Sequence, residues 1–384
     1  MRVWLIQPAI APYRVPLFSA IARAPGIDLT VVVQARRLAG HPWEIDPATV
    51  PFRVLELPSL RWRQDFERDV FISPSAIIRF LRDRPDVVIC SGFTASTLLL
   101  YLPLLATRTP YLMWNEGTPM TEQAASLLKR SVRRLVARYA RGFLVAGTQA
   151  RAYVEGLLSP PARVRIDVAY NCVDNDRFTR AGFTDAEHAR MQELKSRAAP
   201  RNLLHVGKLG ERKGIVQLME AYRLLVQRTD MQDVGLTLLG EGPLRGYVQE
   251  YATRHGLPHV YLEGVIGQDL IKAYYATADV FVLLSLADPN PLVLFEALGA
   301  GLPIVCSDRA GNAVDFIRDG VNGYRVDPED IETVADRLAM ALTALDRPTA
   351  TRASRELVAK ANYDDVAQVF LNAARAARVA PSEP

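Results

Sequence analysis

Four charged side chains in the second half of the chain have the types and spacing to hold a ligand rich in hydroxyls and phosphate. Asp288 and Glu296 are the only charged residues in the apolar run ADPNPLVLFEALGAGLPIVCS, residues 287–307. A buried carboxylate is costly unless something pairs with it, so Glu296 needs a partner. That partner is a backbone amide or an arginine of the fold, or the hydroxyls of a bound molecule. Lys208 and Lys213 stand five positions apart in HVGKLGERKG, residues 205–214. At a strand-to-helix turn, glycines such as Gly207 let an anion approach the backbone, the helix N-terminus favours negative charge, and ammonium groups act as point charges. That is diphosphate chemistry, although solvated loops also carry Gly and Lys. Asn290 and Pro291 read as the N-cap and first residue of a helix that stops at Gly301, so the helix mouth adds further N–H groups.

The elements that must position these groups alternate along the whole chain. Short apolar runs at 3–7, 29–34, 86–92, 110–115 and 142–148 are separated by helical patterns, and a second series follows at 202–208, 235–242, 259–264, 280–285 and 303–308. This is the pattern of parallel sheets covered by helices on both faces. The polar stretch 176–201 between the two series lacks strand character and reads as a boundary. The expected fold class is α/β: an N-terminal domain over 1–178, a linker region over 179–200, a C-terminal domain over 201–360, and a final helix and tail over 361–384. Ligands of open parallel sheets bind beyond the carboxyl ends of the strands, so two such domains imply a cleft between those edges.

Composition is that of a globular chain of two ordinary domains: 384 residues, 49% hydrophobic and 23% charged. Cys90, Cys172 and Cys306 lie far apart, at no metal or redox spacing, and fit a reducing compartment. The start of the chain, MRVWLIQ, reads as a strand without the pattern of an export signal, so a cytoplasmic protein is expected. The most apolar stretch, 94–106, is too short to span a bilayer and contains Pro103. The five histidines form no evident metal site or catalytic triad, and no Walker loop is present.

Net charge is +4, unevenly distributed: residues 1–180 hold 24 basic and 15 acidic side chains (+9), and residues 181–384 hold 22 and 27 (−5). Much of the excess lies in LLKRSVRRLVARYAR, Leu127 to Arg141, where basic and apolar residues alternate at helical spacing. Such a helix can lie on an anionic membrane surface, or its apolar stripe can pack on its own domain beneath a solvated basic face. Aromatics are not interleaved with the basic residues, which argues against a nucleic-acid partner.

The segments PAIAPYRVPLFSAIA (8–22), AYNCVDNDRF (169–178), HVGKLGERKG, LLGEGPL (238–244), YYATADVFVLLS (274–285), DPNPLVLFEALGAGLPIV (288–305) and GVNGYRVDPED (320–330) together make the chain resemble the family-4 retaining glycosyltransferases. The resemblance covers nearly the whole chain. It implies the GT-B fold, two facing Rossmann-like domains with the nucleotide-diphosphate sugar mainly on the second and the acceptor on the first. It also implies that no metal or other cofactor is needed, since basic side chains and helix dipoles stabilise the departing diphosphate. Position by position, Glu296 matches the acid that accepts hydrogen bonds from the donor ribose. Asp288 stands where the family's other acid, normally Glu, addresses the transferred sugar. Lys208 stands where the family usually has Arg, and Lys213 matches its phosphate-binding Lys. The amides of Leu292 and Val293 would meet the distal phosphate, and Val265 with Ile266 would border the base. The family's first-domain His is absent; that region reads MWNEGT, with Asn115 or Glu116 as substitutes. Cys172 replaces a usual Gly. Arg14, in the loop after the first strand, is the candidate acceptor-side or phosphate contact.

These matches imply transfer of a sugar, with retention, to a glycan or lipid-linked hydroxyl in cell-surface polysaccharide or glycoconjugate synthesis. The setting would be the cytoplasm or the inner face of the membrane. The departures at Asp288, Lys208 and the missing His point instead to an inactive GT-B binding protein, and a GT-B sugar-nucleotide epimerase is a third reading.

Overall fold

The computed structural model describes residues 1–37, 44–63, 69–123, 125–158, 164–178 and 182–379. The tail after 379, His41 and residues 179–181 of the expected linker lie outside the described residues. The chain divides into two compact units, residues 1–172 with 361–384, and residues 173–360.

The first unit is built on seven parallel strands in the order β3-β2-β1-β6-β7-β8-β9. These are β1 (Arg2–Gln7), β2 (Asp28–Val33), β3 (Arg53–Glu56), β6 (Val87–Ser91), β7 (Tyr111–Asn115), β8 (Gly142–Val145) and β9 (Arg165–Val168), and β4 (Leu60–Arg63) pairs separately with β5 (Asp69–Ile72) as a hairpin. Central strands such as β7, YLMWN, are buried along their whole length, because both sheet faces are covered. Odd and even positions then feed different cores. Val3, Leu5, Leu112 and Trp114 pack under helices α1 (Val15–Arg23) and α14 (Tyr363–Val379), where Phe370 stands edge-on to Trp114 at 4.9 Å. Trp4, Ile6, Tyr111 and Met113 pack under α2 (Ser75–Asp83), α3 (Ala95–Ala106), α4 (Leu127–Arg138) and α5 (Thr148–Leu157). Each large side chain so buried contributes about 1.5–3 kcal/mol. The apolar stretch around Pro103 is α3, and among the described residues no helix is long and apolar enough to cross a membrane.

The second unit has six parallel strands in the order β12-β11-β10-β13-β14-β15. They are β10 (Arg201–Val206), β11 (Val234–Leu239), β12 (Val260–Gly264), β13 (Val280–Leu283), β14 (Ile304–Ser307) and β15 (Gly323–Val326). Its helices are α6 (Asp185–Arg197), α7 (Ile215–Val226), α8 (Arg245–Arg254), α9 (Ile271–Thr277), α10 (Leu292–Ala300), α11 (Ala313–Phe316), α12 (Ile331–Thr343) and α13 (Arg347–Val358). Chain direction across the sheet reverses between β1 and β6 in the first unit and between β10 and β13 in the second, which opens a crevice at the carboxyl ends of those strands.

The division differs from the expected boundaries. The units part at Cys172 and Val173, and the described part of the expected linker holds α6, started by a reciprocal capping box between Thr184 and Glu187. Its polar residues are spent on docking rather than on solvation: Arg190 stacks on Tyr274 of α9 at 5.1 Å and pairs with Glu263 at 2.8 Å. Residues 361–384 count with the first unit.

Candidate functional site

In the second unit the predicted residues fall at the crevice between β10 and β13. The turn after β10 runs from Gly207 through Lys208, which is exposed, to Lys213, which is half-buried. Gly214 closes it at φ +68°, and a Cβ there would sit 1.9 Å from the Leu284 carbonyl oxygen, so only glycine lets the turn rest on the end of β13. That close approach brings Lys213 Nζ onto Asp288 Oδ2 in an ion pair. The other Asp288 oxygen accepts from the Asn290 amide at 3.3 Å, and the Asp288 carbonyl accepts from the Gly311 amide at 2.9 Å.

Helix α10 begins one residue later than expected. Pro291 is its N-cap, extended at φ −67° and ψ 114°, and no side chain caps it. The first-turn amides of Leu292 and Val293 therefore have no intrahelical partner. Asn290 serves the loop instead: its Oδ1 accepts from Asn312 Nδ2 at 2.8 Å, while its own Nδ2 is buried without a partner. Gly301 ends the helix in the left-handed region as expected. Glu296 is half-buried, and its fold partner is neither an amide nor an arginine hydrogen bond but the Tyr275 hydroxyl, which donates to Oε2 at 2.7 Å. Burial raises the Glu296 pKa, while the Tyr275 hydrogen bond and the nearby Arg177 charge pull it down. Val265 and Ile266 follow β12, with Val265 largely exposed.

His205, one of the five histidines to which no role was assigned, lies on β10 beneath Gly207. Its Nδ1 bonds the Val282 carbonyl at 3.1 Å, and its Nε2 is buried without a partner. Burial lowers its pKa to about 4, the Val282 bond opposing and the Lys213 charge assisting. Because the folded value lies below the unfolded one, this stability is full above about pH 6.5 and is lost as pH falls through that window. Urea unfolding should show a loss of about 3 kcal/mol between pH 7 and pH 4 that His205→Gln abolishes. An unchanged slope in the variant would contradict it.

The first unit carries its own crevice, at the carboxyl ends of β1, β6 and β7. A cavity of about 480 Å³ is lined there by Gln7, Arg14, Trp114, Glu116, Glu122 and Arg133, among others. Arg14 is not a surface residue. Its guanidinium carbon lies over the Trp114 ring at 4.4 Å, it donates to Glu116 at 2.6 Å and to Gln7 Oε1, and burial disfavours its charge while Tyr13 and Glu116 hold it. Glu116 also accepts from Asn171 at 3.3 Å. Asn115, by contrast, is buried and turns its amide back to the Gly117 carbonyl at 2.9 Å, which leaves Glu116 as the residue of this pair that lines the cavity with an ionic partner.

Arg133 departs from expectation most. It belongs to the basic series of α4, yet it is buried and pairs with Glu122 at 2.6 Å and the Tyr153 hydroxyl at 2.6 Å. Helical spacing placed it one turn from its exposed neighbours, and the contacts with Glu122 and Tyr153 mark it as inward. Gln7 Nε2, Trp114 Nε1 and Arg133 Nε are buried donors without partners, all on residues lining this cavity. An aromatic surface, two carboxylates and unused N–H donors make a lining suited to a polyhydroxyl ring.

Comparison with known proteins gives a consistent result for both units. Residues 187–356 match the family model "Glycosyl transferases group 1", and residues 10–168 match "Glycosyl transferase 4-like domain". An uncharacterized glycosyltransferase of Methanocaldococcus jannaschii is 29% identical over 173 residues, 44% of this chain and 43% of that protein. The GDP-mannose-dependent phosphatidylinositol monomannoside mannosyltransferase of Mycobacterium tuberculosis is 28% identical over 251 residues, 62% of this chain and 60% of that one. The matched stretches thus span less than two thirds of either relative. The Anabaena protein HepE, solved with UDP-glucose, superimposes with a TM-score of 0.71 at 18% identity, over 98% of both chains.

Proposed function

The chain belongs to the group 1 glycosyltransferases of the GT-B fold, and from that premise we propose that it is an active retaining enzyme using a nucleotide-diphosphate sugar. The observation that carries this reading is the gathering of Lys213, Asp288 and the uncapped mouth of α10 at one crevice of the second unit. In this reading Glu296 accepts the donor ribose hydroxyls, and Lys208, Lys213 and the amides of Leu292 and Val293 hold the diphosphate. Gly207 lets the phosphates approach, and Val265 with Ile266 borders the base. Asp288, paired to Lys213, then lies where one carboxylate addresses the transferred sugar while steadying the ammonium that meets the leaving phosphate. As the anomeric bond breaks, charge develops on the diphosphate, and fixed donors aimed there lower the barrier without a bound metal. The diphosphate oxygen takes the proton of the incoming hydroxyl on the same face of the sugar, which gives retention.

The acceptor, a glycan or lipid-linked hydroxyl, is assigned to the first-unit cavity, with Arg14 and Glu116 as its charged pair. The product would serve cell-surface polysaccharide or glycoconjugate synthesis at the cytoplasmic membrane face. A melting-temperature screen with UDP-, GDP- and ADP-sugars in chelator tests the donor reading. One nucleotide class should stabilise the protein, by about 2.7 kcal/mol at a hundredfold excess over Kd. No shift with any of them, or conversion of the sugar nucleotide in the absence of acceptor, would contradict it.

A further inference from the structure

The first unit holds a second cavity, of about 490 Å³, at the opposite, amino-terminal ends of its strands. It lies where α3 and α4 end and β7 and β8 begin, about 17 Å, the length of β7, from the Arg14 crevice. Arg108, Arg138 and Arg141 line it together with Thr109, Tyr111 and Tyr139, and no carboxylate does. Two helix C-termini meet there, each equivalent to roughly half a negative charge. The guanidiniums of Arg108 and Arg138 therefore leave an excess of about one positive charge. Among the described residues neither Arg108 nor Arg138 is in an ion pair; Arg138 rests over the Tyr139 ring at 5.9 Å. Arg108 is held at φ 53°, a left-handed conformation uncommon for a residue with a side chain.

What surrounds the cavity selects the source of an anion. The apolar residues of α4 do not all pack inward. Leu128, Leu135 and Tyr139, at i, i+7 and i+11, share one face of the helix and are 76%, 51% and 46% exposed; Val136 and Ala137 are the residues that reach the core. On the neighbouring α3, whose Tyr101 hydroxyl donates to the Leu135 carbonyl at 3.2 Å, Leu102 is 71% exposed. No Asp or Glu occurs in residues 87–115 or 123–154, so the whole surface of α3 and α4 lacks negative charge, while Lys129, Arg130 and Arg134 extend the basic side along the helix. A free phosphate would use the arginines and leave the leucines in water. An anionic lipid bilayer engages both.

We propose that this face is a docking surface for an anionic phospholipid membrane, with the phosphate of one headgroup seated among Arg108, Arg138 and Arg141 and the α3 and α4 leucines entering the acyl boundary. The proposal rests on the membrane-face setting of the sugar-transfer reading and deepens it, and the two can fail separately because none of these residues is assigned to donor or acceptor. Vesicle co-sedimentation of the full chain tests it, comparing phosphatidylglycerol with phosphatidylcholine vesicles for the wild type, Arg108→Gln/Arg138→Gln, and Leu128→Ser/Leu135→Ser. Binding should require phosphatidylglycerol and weaken about 30-fold in the arginine variant, at roughly fivefold per basic residue lost at the surface. The leucine variant should also weaken by at least tenfold, while the melting temperatures of both variants stay close to wild type because all four side chains are exposed. Equal binding to both lipids, or an arginine variant that binds like wild type, would overturn the proposal. So would a melting-temperature rise with inorganic phosphate alone that the arginine variant loses, combined with no vesicle binding, since the ligand would then be a soluble anion.

Discussion

Lys213→Ala should lower kcat for sugar transfer by about 10²–10³-fold, the usual cost of removing one fixed donor from a site where negative charge develops. The same change should lower stability, because Asp288 is buried and Lys213 Nζ is its ionic partner. Breaking a buried pair costs about 3–5 kcal/mol, and the partial exposure of Lys213 reduces that to about 2 kcal/mol here. The two effects separate in a second variant. Lys213→Ala/Asp288→Asn no longer buries an unpaired charge, so its urea midpoint should return most of the way to wild type while kcat stays low. If rate recovers along with stability, Lys213 acts only by holding Asp288, and its assignment to the diphosphate fails.

How far these residues were legible beforehand follows from the range of their interactions. Ten strands, nine inner ones and the edge strand β12, fall in largely apolar runs and could be read directly. The strands left out are the hairpin strands β4 and β5 and, at the sheet margins, β3, β9 and β15, whose sequences RVLE, RIDV and GYRV carry one or two charges each. Such short half-polar edges resemble loops, because an edge strand is buried on fewer sides. Helix α10 shows the same limit at finer scale: Asn290-Pro291 suggests a cap and first turn, but the extended Pro291 moves the start by one residue and diverts Asn290 to Asn312. The lone carboxylates and the two lysines stood out because composition around them is so apolar or so glycine-rich. Tyr275, Asn312 and His205 did not, since each reaches the site through a contact across 21 or more positions with no local period. On α4, periodicity correctly gave a two-sided helix but could not say which side faces inward; Glu122 and Tyr153 decide that for Arg133.

The departures from the family's pattern acquire physical content in the same way. Asp288 is one methylene shorter than the usual Glu, and its carboxylate is already engaged by Lys213 and the Asn290 amide. In the proposed reading a shorter, anchored acid would leave more room for the transferred sugar, which would alter donor preference rather than remove the chemistry. Lys208 in place of Arg gives up a bidentate fork and keeps a mobile point charge. Of the two residues expected to substitute for the missing first-domain His, Glu116 is tied to Arg14 and Asn171, and Asn115 to its own loop.

Glu296→Ala carries the second large effect. Among the described residues the Tyr275 hydroxyl is the side-chain donor to this carboxylate, one hydrogen bond for a group able to accept several. A ribose that adds two hydroxyl donors to this half-buried anion should gain about 1.5–3 kcal/mol per bond, so donor kcat/KM should fall by about 10²-fold or more in the alanine variant. Loss of a buried charge relieves its desolvation cost, so stability should change little and Tyr275 should find solvent. Coupling between the side chain and the ribose tests the central claim most directly. Isothermal titration would compare the stabilising nucleoside diphosphate with its 2′-deoxy and 3′-deoxy analogues on wild-type and Glu296→Ala protein, closing a cycle in which only a direct contact gives non-additive energies. The account predicts that removing a hydroxyl weakens binding to wild type by about tenfold or more and leaves the variant indifferent. Equal losses on both proteins would contradict it, because the ribose would then lie elsewhere.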